Sequence, residues 1–129
     1  MKVAIIGQGY VGLTISIFAS DHFNVVGFDS NQKVVDALNL GISHIEGVSS
    51  SELQRVIESR RYRATSVESE LSGCQVVIIA VPTPLTNDRR PDLKYIEAAC
   101  KSIGENVKHP VLVINESTSF PGTLRNIIK

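Results

Sequence analysis

The feature that most constrains this chain is a glycine pattern near its start. Gly7-Gln8-Gly9-Tyr10-Val11-Gly12 follows directly on a short apolar run at residues 3–6 and leads into a helical pattern over residues 10–20. Such a hexapeptide means little alone, but between a strand and a helix it has a mechanism. Gly7 permits the tight turn out of the strand, Gly9 lets a phosphate approach the backbone, and Gly12 lets the helix pack closely on the sheet. The first turn of the helix, with Tyr10 and Val11, then offers unpaired N–H groups and the positive end of a dipole. The pattern predicts a site for the pyrophosphate of a dinucleotide. The blander alternative is a glycine-rich turn that only packs.

The rest of the chain alternates strand-like apolar runs with helical patterns, as parallel βαβ units do. Residues 24–28 read as a second strand ending in Asp29. Asn31 is placed to cap a helix carrying Val34, Val35 and Leu38, which stops near Gly41. A loop over 41–51, a short helix over 52–59 and a weak strand over 62–65 follow. Residues 75–81 form a continuous β-branched run suited to the middle of a parallel sheet, ended by Pro82-Thr83-Pro84. Leu93, Ile96, Cys100, Ile103 and Val107 recur at helical spacing, residues 111–114 form a fifth strand, and Pro121 opens a last helix with Leu124, Ile127 and Ile128. The first helix is expected to bury Val11, Ile15, Phe18 and Ala19. The fold class is therefore α/β: a Rossmann-like doubly wound parallel sheet of about five strands in the order 3-2-1-4-5, with helices on both faces. The last helix has no stop signal, so residues 1–129 read as one truncated nucleotide-binding domain.

Composition narrows the partners. Lysine plus arginine equals aspartate plus glutamate at 13 each, which leaves no basic field for nucleic acid or an anionic membrane. No apolar run reaches the ~18 residues that span a bilayer, and the start lacks a signal-peptide pattern. Cys74 and Cys100 form neither a metal spacing nor a disulfide framework, so no metal site is expected. A soluble, cytoplasmic protein is the plain reading.

Asp29 completes the glycine pattern, twenty positions after Gly9 at the end of the second strand. A carboxylate there accepts hydrogen bonds from both hydroxyls of an adenosine ribose and repels a 2′-phosphate. Two unit charges ~4 Å apart near a protein surface interact by up to ~4 kcal/mol, about three decades in affinity. Screening and the nearby Lys33 reduce that figure, yet NAD is favoured over NADP. The same position also suits a helix-capping acid.

Three further segments carry a resemblance. Val81-Pro82-Thr83-Pro84-Leu85, Arg90-Pro91-Asp92-Leu93 and Glu116-Ser117-Thr118-Ser119-Phe120-Pro121-Gly122-Thr123, in this order after the glycine loop, resemble the N-terminal domain of the UDP-glucose/GDP-mannose dehydrogenase family. Ser43-His44-Ile45-Glu46-Gly47 looks most like the branch acting on UDP-N-acetylhexosamines. The resemblance implies an NAD-dependent enzyme that oxidises the C6 alcohol of a UDP-sugar to a uronate in two hydride transfers, for polysaccharide biosynthesis. It also implies a homo-oligomeric parent whose catalytic cysteine, lysine and glutamate lie beyond this chain, so that the chain itself binds NAD without turnover. By the same resemblance Thr83 contacts the cofactor, and Thr118 touches the nicotinamide side and helps order a water for hydrolysis. Thr83 could equally cap its strand, and Glu116 and Ser117 the helix near Pro121. Family members place a basic residue five positions beyond the ribose acid. Here that position is Val34, and Lys33 stands one position short.

Other reactive side chains are assigned nothing. Cys100 sits on an apolar helix stripe and Cys74 before a buried strand, which suits inert thiols. His22, His44 and His109 have no acidic or thiol partner in sequence, and Arg89-Arg90 reads as a solvated loop. Two other readings stay open: a stand-alone NAD-sensing module, and another NAD-dependent dehydrogenase with a similar first half.

Overall fold

A computed structural model describes residues 1–118. The expected helix from Pro121 lies outside the described residues. The elements are β1 (Lys2–Ile6), α1 (Tyr10–Ser20), β2 (Asn24–Phe28), α2 (Gln32–Asn39), α3 (Ser50–Glu58), β3 (Tyr62–Thr65), a 3-10 turn (Glu68–Leu71), β4 (Val76–Ile79), α4 (Lys94–Asn106) and β5 (Leu112–Asn115). All strand pairs are parallel and the order is β3-β2-β1-β4-β5, as the alternating pattern predicts.

β1 shows how the sheet divides two cores. Val3 and Ile5 face one side, where they pack with Leu13, Ile17, Leu38 and Leu53 of the first three helices. Ala4 and Ile6 face the other, with Val77, Ile79 and the α4 residues Ala99 and Ile103. Period-two alternation on a strand covered on both sides produces this split, which is why the strand reads as continuously apolar.

The expected face of α1 requires correction. Phe18 is 70% exposed and Val11 48%, whereas Gly12, Leu13, Ser16, Ile17 and Ser20 are buried. The sheet-facing side uses small residues because the helix lies close. A Cβ on Gly12 would stand 1.7 Å from the carbonyl oxygen of Gly7. The serines cost little there, since the Ser16 and Ser20 hydroxyls donate to the carbonyls of Gly12 and Ser16 at 2.8 and 2.6 Å. Ile15 and Ala19 do pack, half-buried, against the same core as Leu13 and Ile17, so weighting by apolarity alone found half of the face and misplaced the rest.

Helix starts follow capping chemistry. The Asn31 side chain accepts from the Lys33 N–H at 3.0 Å, as expected. α3 begins two residues before the expected start because Ser49 and Glu52 form a reciprocal capping box. The 3-10 turn has no counterpart in the sequence reading.

Candidate cofactor site

β1 is the point where the sheet changes direction: β2 leaves on one side and β4 on the other. A cleft of about 570 Å³ opens there at the carboxyl ends of the strands, the place where open α/β sheets bind ligands. The glycine loop forms one end of it.

The three glycines differ in what surrounds them. Gly7 has φ +94°, and a Cβ on it would stand 2.5 Å from the Ala80 carbonyl oxygen. Gly12 is equally closed, as described above. Over Gly9, by contrast, a Cβ would meet nothing within 4 Å among the described residues. Two glycines therefore shape the turn and the third keeps a space open. Gly9 is also the N-cap of α1, and it offers no side chain to the first-turn N–H groups. Tyr10 and Val11 line the cleft beside it.

Asp29 is held in place by its neighbours. One carboxylate oxygen accepts the Gln8 N–H at 3.0 Å and the other the Asn31 N–H at 2.9 Å. Each oxygen retains a further acceptor position, so the tethered carboxylate can still receive two hydroxyls. Its own N–H donates to the Thr65 carbonyl.

Beneath the loop lies a residue that sequence reasoning passed over. Gln8 is fully buried. Its amide nitrogen donates to the carbonyls of Ile5 and Gly7 at 3.1 and 3.2 Å. Its Oε1 accepts the Tyr62 hydroxyl at 2.9 Å and, at 3.1 Å, shares the single Ser16 hydroxyl proton with the Gly12 carbonyl. The bracket ties strand, loop, helix and the third strand together. Gly27 in β2 leaves room for it, since a Cβ there would meet Gln8 Oε1 at 2.5 Å. A polar residue inside the hexapeptide together with a glycine in a central strand was the available signal. Burial, and secondarily the negative charge of Asp29, pushes the Tyr62 phenol well above its ordinary value.

The other predicted positions are dispersed. Lys33 is exposed and is not among the residues lining the cleft, whereas Val34 is. Thr83 is half-buried and Thr118 exposed, each just beyond the carboxyl end of its strand and outside the cleft lining. Ser117 joins these two ends: its hydroxyl accepts the Val81 N–H at 3.0 Å. The helix near Pro121 that Glu116 and Ser117 could cap lies outside the described residues. Arg89, with φ +59°, and Arg90 lie in an exposed turn closed by Thr86. His44, assigned nothing from sequence, lines the cleft, as do Glu68, Tyr95 and Ser102. Burial raises both thiols above the ordinary cysteine value: Cys74 is fully buried and Cys100 partly so. Among the described residues no cluster of His, Cys, Asp or Glu could hold a metal, and no helix is long and apolar enough to cross a membrane.

The cleft fits a dinucleotide on its own geometry: an open backbone cradle at Gly9, an uncapped helix start, and a fixed carboxylate beyond it. The model of the UDP-glucose/GDP-mannose dehydrogenase family, NAD binding domain, matches residues 1–129. The chain belongs to this family. A UDP-N-acetyl-D-mannosamine dehydrogenase from Pyrococcus horikoshii is 38% identical, over 100% of this chain and 31% of its own. The enzyme of that name from Campylobacter jejuni is 43% identical, over 99% of this chain and 31% of its own. A solved ternary complex of GDP-mannose dehydrogenase from Pseudomonas aeruginosa superimposes with a TM-score of 0.90 at 31% identity, covering 99% of this chain and 31% of that one. The chain thus spans about a third of the length of the relatives it matches. It is an NAD-binding domain of the nucleotide-sugar dehydrogenases, and the reading as a stand-alone sensing module is not favoured.

Proposed function

We propose that the cleft seats NAD with its pyrophosphate over Gly9 and its adenosine ribose on Asp29, in the service of a UDP-N-acetylhexosamine 6-dehydrogenase. Bound NAD would supply a hydride acceptor. The observation that carries the reading is the contrast among the loop glycines, because only Gly9 leaves its space open. The first-turn N–H groups of Tyr10 and Val11 donate to the phosphates, and Gly7 and Gly12 hold the loop in shape. Asp29 accepts the ribose hydroxyls and opposes a 2′-phosphate. Thr83 and Thr118, brought to one edge by the Ser117 contact, flank the nicotinamide end, with Thr118 as an accessory to hydrolysis. Lys33 attends the ribose from outside the cleft lining.

The substrate class rests on the relatives' names and on the Ser43–Gly47 segment, whose His44 lines the cleft. A cytoplasmic, homo-oligomeric parent goes with this reading. Oxidising an alcohol to an acid needs a base and a covalent or hydrated intermediate. Neither thiol among the described residues is activated, since burial holds both in the neutral form. Calorimetric titration tests the cofactor site. NAD should bind more tightly than NADP, and Asp29→Ala should weaken NAD and narrow the gap. Equal affinities in the native chain would defeat the ribose assignment. Mixing the chain with NAD and a panel of UDP-sugars should give no NADH absorbance, and turnover would mean the catalytic groups are misplaced.

A further inference from the structure

Besides Asp29, the residues lining the cleft include the apolar Val34 and the α4 residues Ala98 and Ala99. Glu68, on the 3-10 turn, and Ser102, on α4, also line it. The buried Ser102 hydroxyl donates to Glu68 Oε1 at 2.9 Å and so anchors the carboxylate at the cleft. No hydrogen bond from the described residues reaches the second carboxylate oxygen, Oε2. Nothing in the glycine loop or at Asp29 distinguishes one purine from another, because both read the phosphates and the sugar.

We propose that Glu68 reads the exocyclic amino group of the cofactor's adenine, making it a specificity-determining residue for a 6-amino purine. The proposal rests on the cofactor reading above. A carboxylate can only accept hydrogen bonds. The 6-amino group of adenine donates to it, whereas the 6-oxo group of hypoxanthine would set one acceptor against another. An analogue that reverses the hydrogen-bonding group loses the bond and sets two oxygen acceptors against each other. The Ser102 anchor removes part of the entropy cost of holding a long carboxylate in one position.

Titrating the chain with NAD and with its deaminated analogue, which carries hypoxanthine, tests this directly. The native chain should prefer NAD by about tenfold, corresponding to ~1.4 kcal/mol. In Glu68→Ala and in the isosteric Glu68→Gln, whose amide can donate as well as accept, the preference should fall to about twofold or less. A purely structural role for Glu68, through Ser102, would weaken both dinucleotides alike and leave the ratio unchanged. An unchanged ratio in Glu68→Gln, or a native chain indifferent to the base, overturns the proposal. Should Glu68→Ala fail to fold, the exposed and isosteric Glu68→Gln decides alone. If the native chain binds neither dinucleotide, the cofactor reading fails instead.

Discussion

α1 and α3 begin under the same physical demand and answer it in opposite ways. Every helix start leaves about four N–H groups without an intrahelical partner. α3 satisfies two with its own side chains: the Ser49 hydroxyl accepts the Glu52 N–H at 3.2 Å, and the Glu52 carboxylate accepts the Ser49 N–H at 3.0 Å. α1 starts at Gly9, which has no side chain to give, and carries no acidic residue in its first turn. The first arrangement carries its own cap. The second leaves its first turn open, while the turn around it is held from below by Gln8 and by the tight contacts at Gly7 and Gly12. The difference separates structure from function: a sequence that breaks a local rule, inside an element that otherwise obeys every rule, marks the place reserved for something else.

The sharpest way to break this comparison is at the closed glycines. Gly12→Ala puts a Cβ 1.7 Å from a backbone oxygen, where neither partner is a flexible side-chain end. The helix must then shift off the sheet. We expect a loss of more than about 3 kcal/mol, beyond ordinary overpacking, measured by urea denaturation. Gly9→Val at the open position should do the reverse. The fold persists within about 0.5 kcal/mol, with native circular dichroism, while NAD affinity falls at least about a hundredfold. Normal NAD binding in a natively folded Gly9→Val would remove the pyrophosphate from this loop.

Much of this was legible before the structure. Turn chemistry and β-branched runs located five strands in the right order, and the apolar spacing from Ile96 to Val107 found α4. The helix starts at Asn31 and Gly9 also followed from residue chemistry. What escaped was whatever depends on distance. Ser16 and Ser20 face the sheet because α1 approaches it closely, a fact about spacing that no hydropathy pattern carries. Gln8 lies under the loop because Gly27, far along the chain, leaves it room. Glu68 and His44 reach the cleft from a turn and a loop that the sequence reading left without structure or role. Thr83 and Thr118 drew their significance from resemblance, since a threonine after a strand has no distinctive spacing of its own.

A smaller effect probes the support beneath α1. Tyr62 is buried and donates to Gln8, and its phenol is held neutral chiefly by burial and secondarily by the charge of Asp29. Its folded value is raised above the ordinary tyrosine value of about 10, so folding favours the protonated form. The resulting stability is fully present below pH ~10 and is lost as pH rises above it, by at most ~1.4 kcal/mol per pH unit. Tyr62→Phe should flatten that alkaline limb in denaturation midpoints measured from pH 8 to 11. It should also lower stability at neutral pH, where the hydrogen bond to Gln8 is missing. An identical alkaline limb in both proteins would show that Tyr62 is not shielded as described.

The smallest expected effect lies at the capped helix start and serves as the control for the open one. Ser49→Ala removes the acceptor for the Glu52 N–H and leaves Glu52 without its hydroxyl partner. N-cap removals of this kind cost about 1 kcal/mol, which for a domain of this size lowers the melting temperature by about 4 °C. The Ser49 backbone N–H first, and its hydroxyl second, hold the Glu52 carboxyl below its usual value. A depressed carboxyl contributes stability that is present above its unfolded value and lost as pH falls through the folded one. The melting temperatures of the native chain and Ser49→Ala should therefore converge as the solution is acidified through the glutamate range. NAD affinity should not change, because α3 closes on itself and contributes nothing to the cleft lining. If Ser49→Ala weakened NAD binding as strongly as it lowered the melting temperature, the two helix starts would be coupled, and the division between a finished terminus and a reserved one would no longer hold.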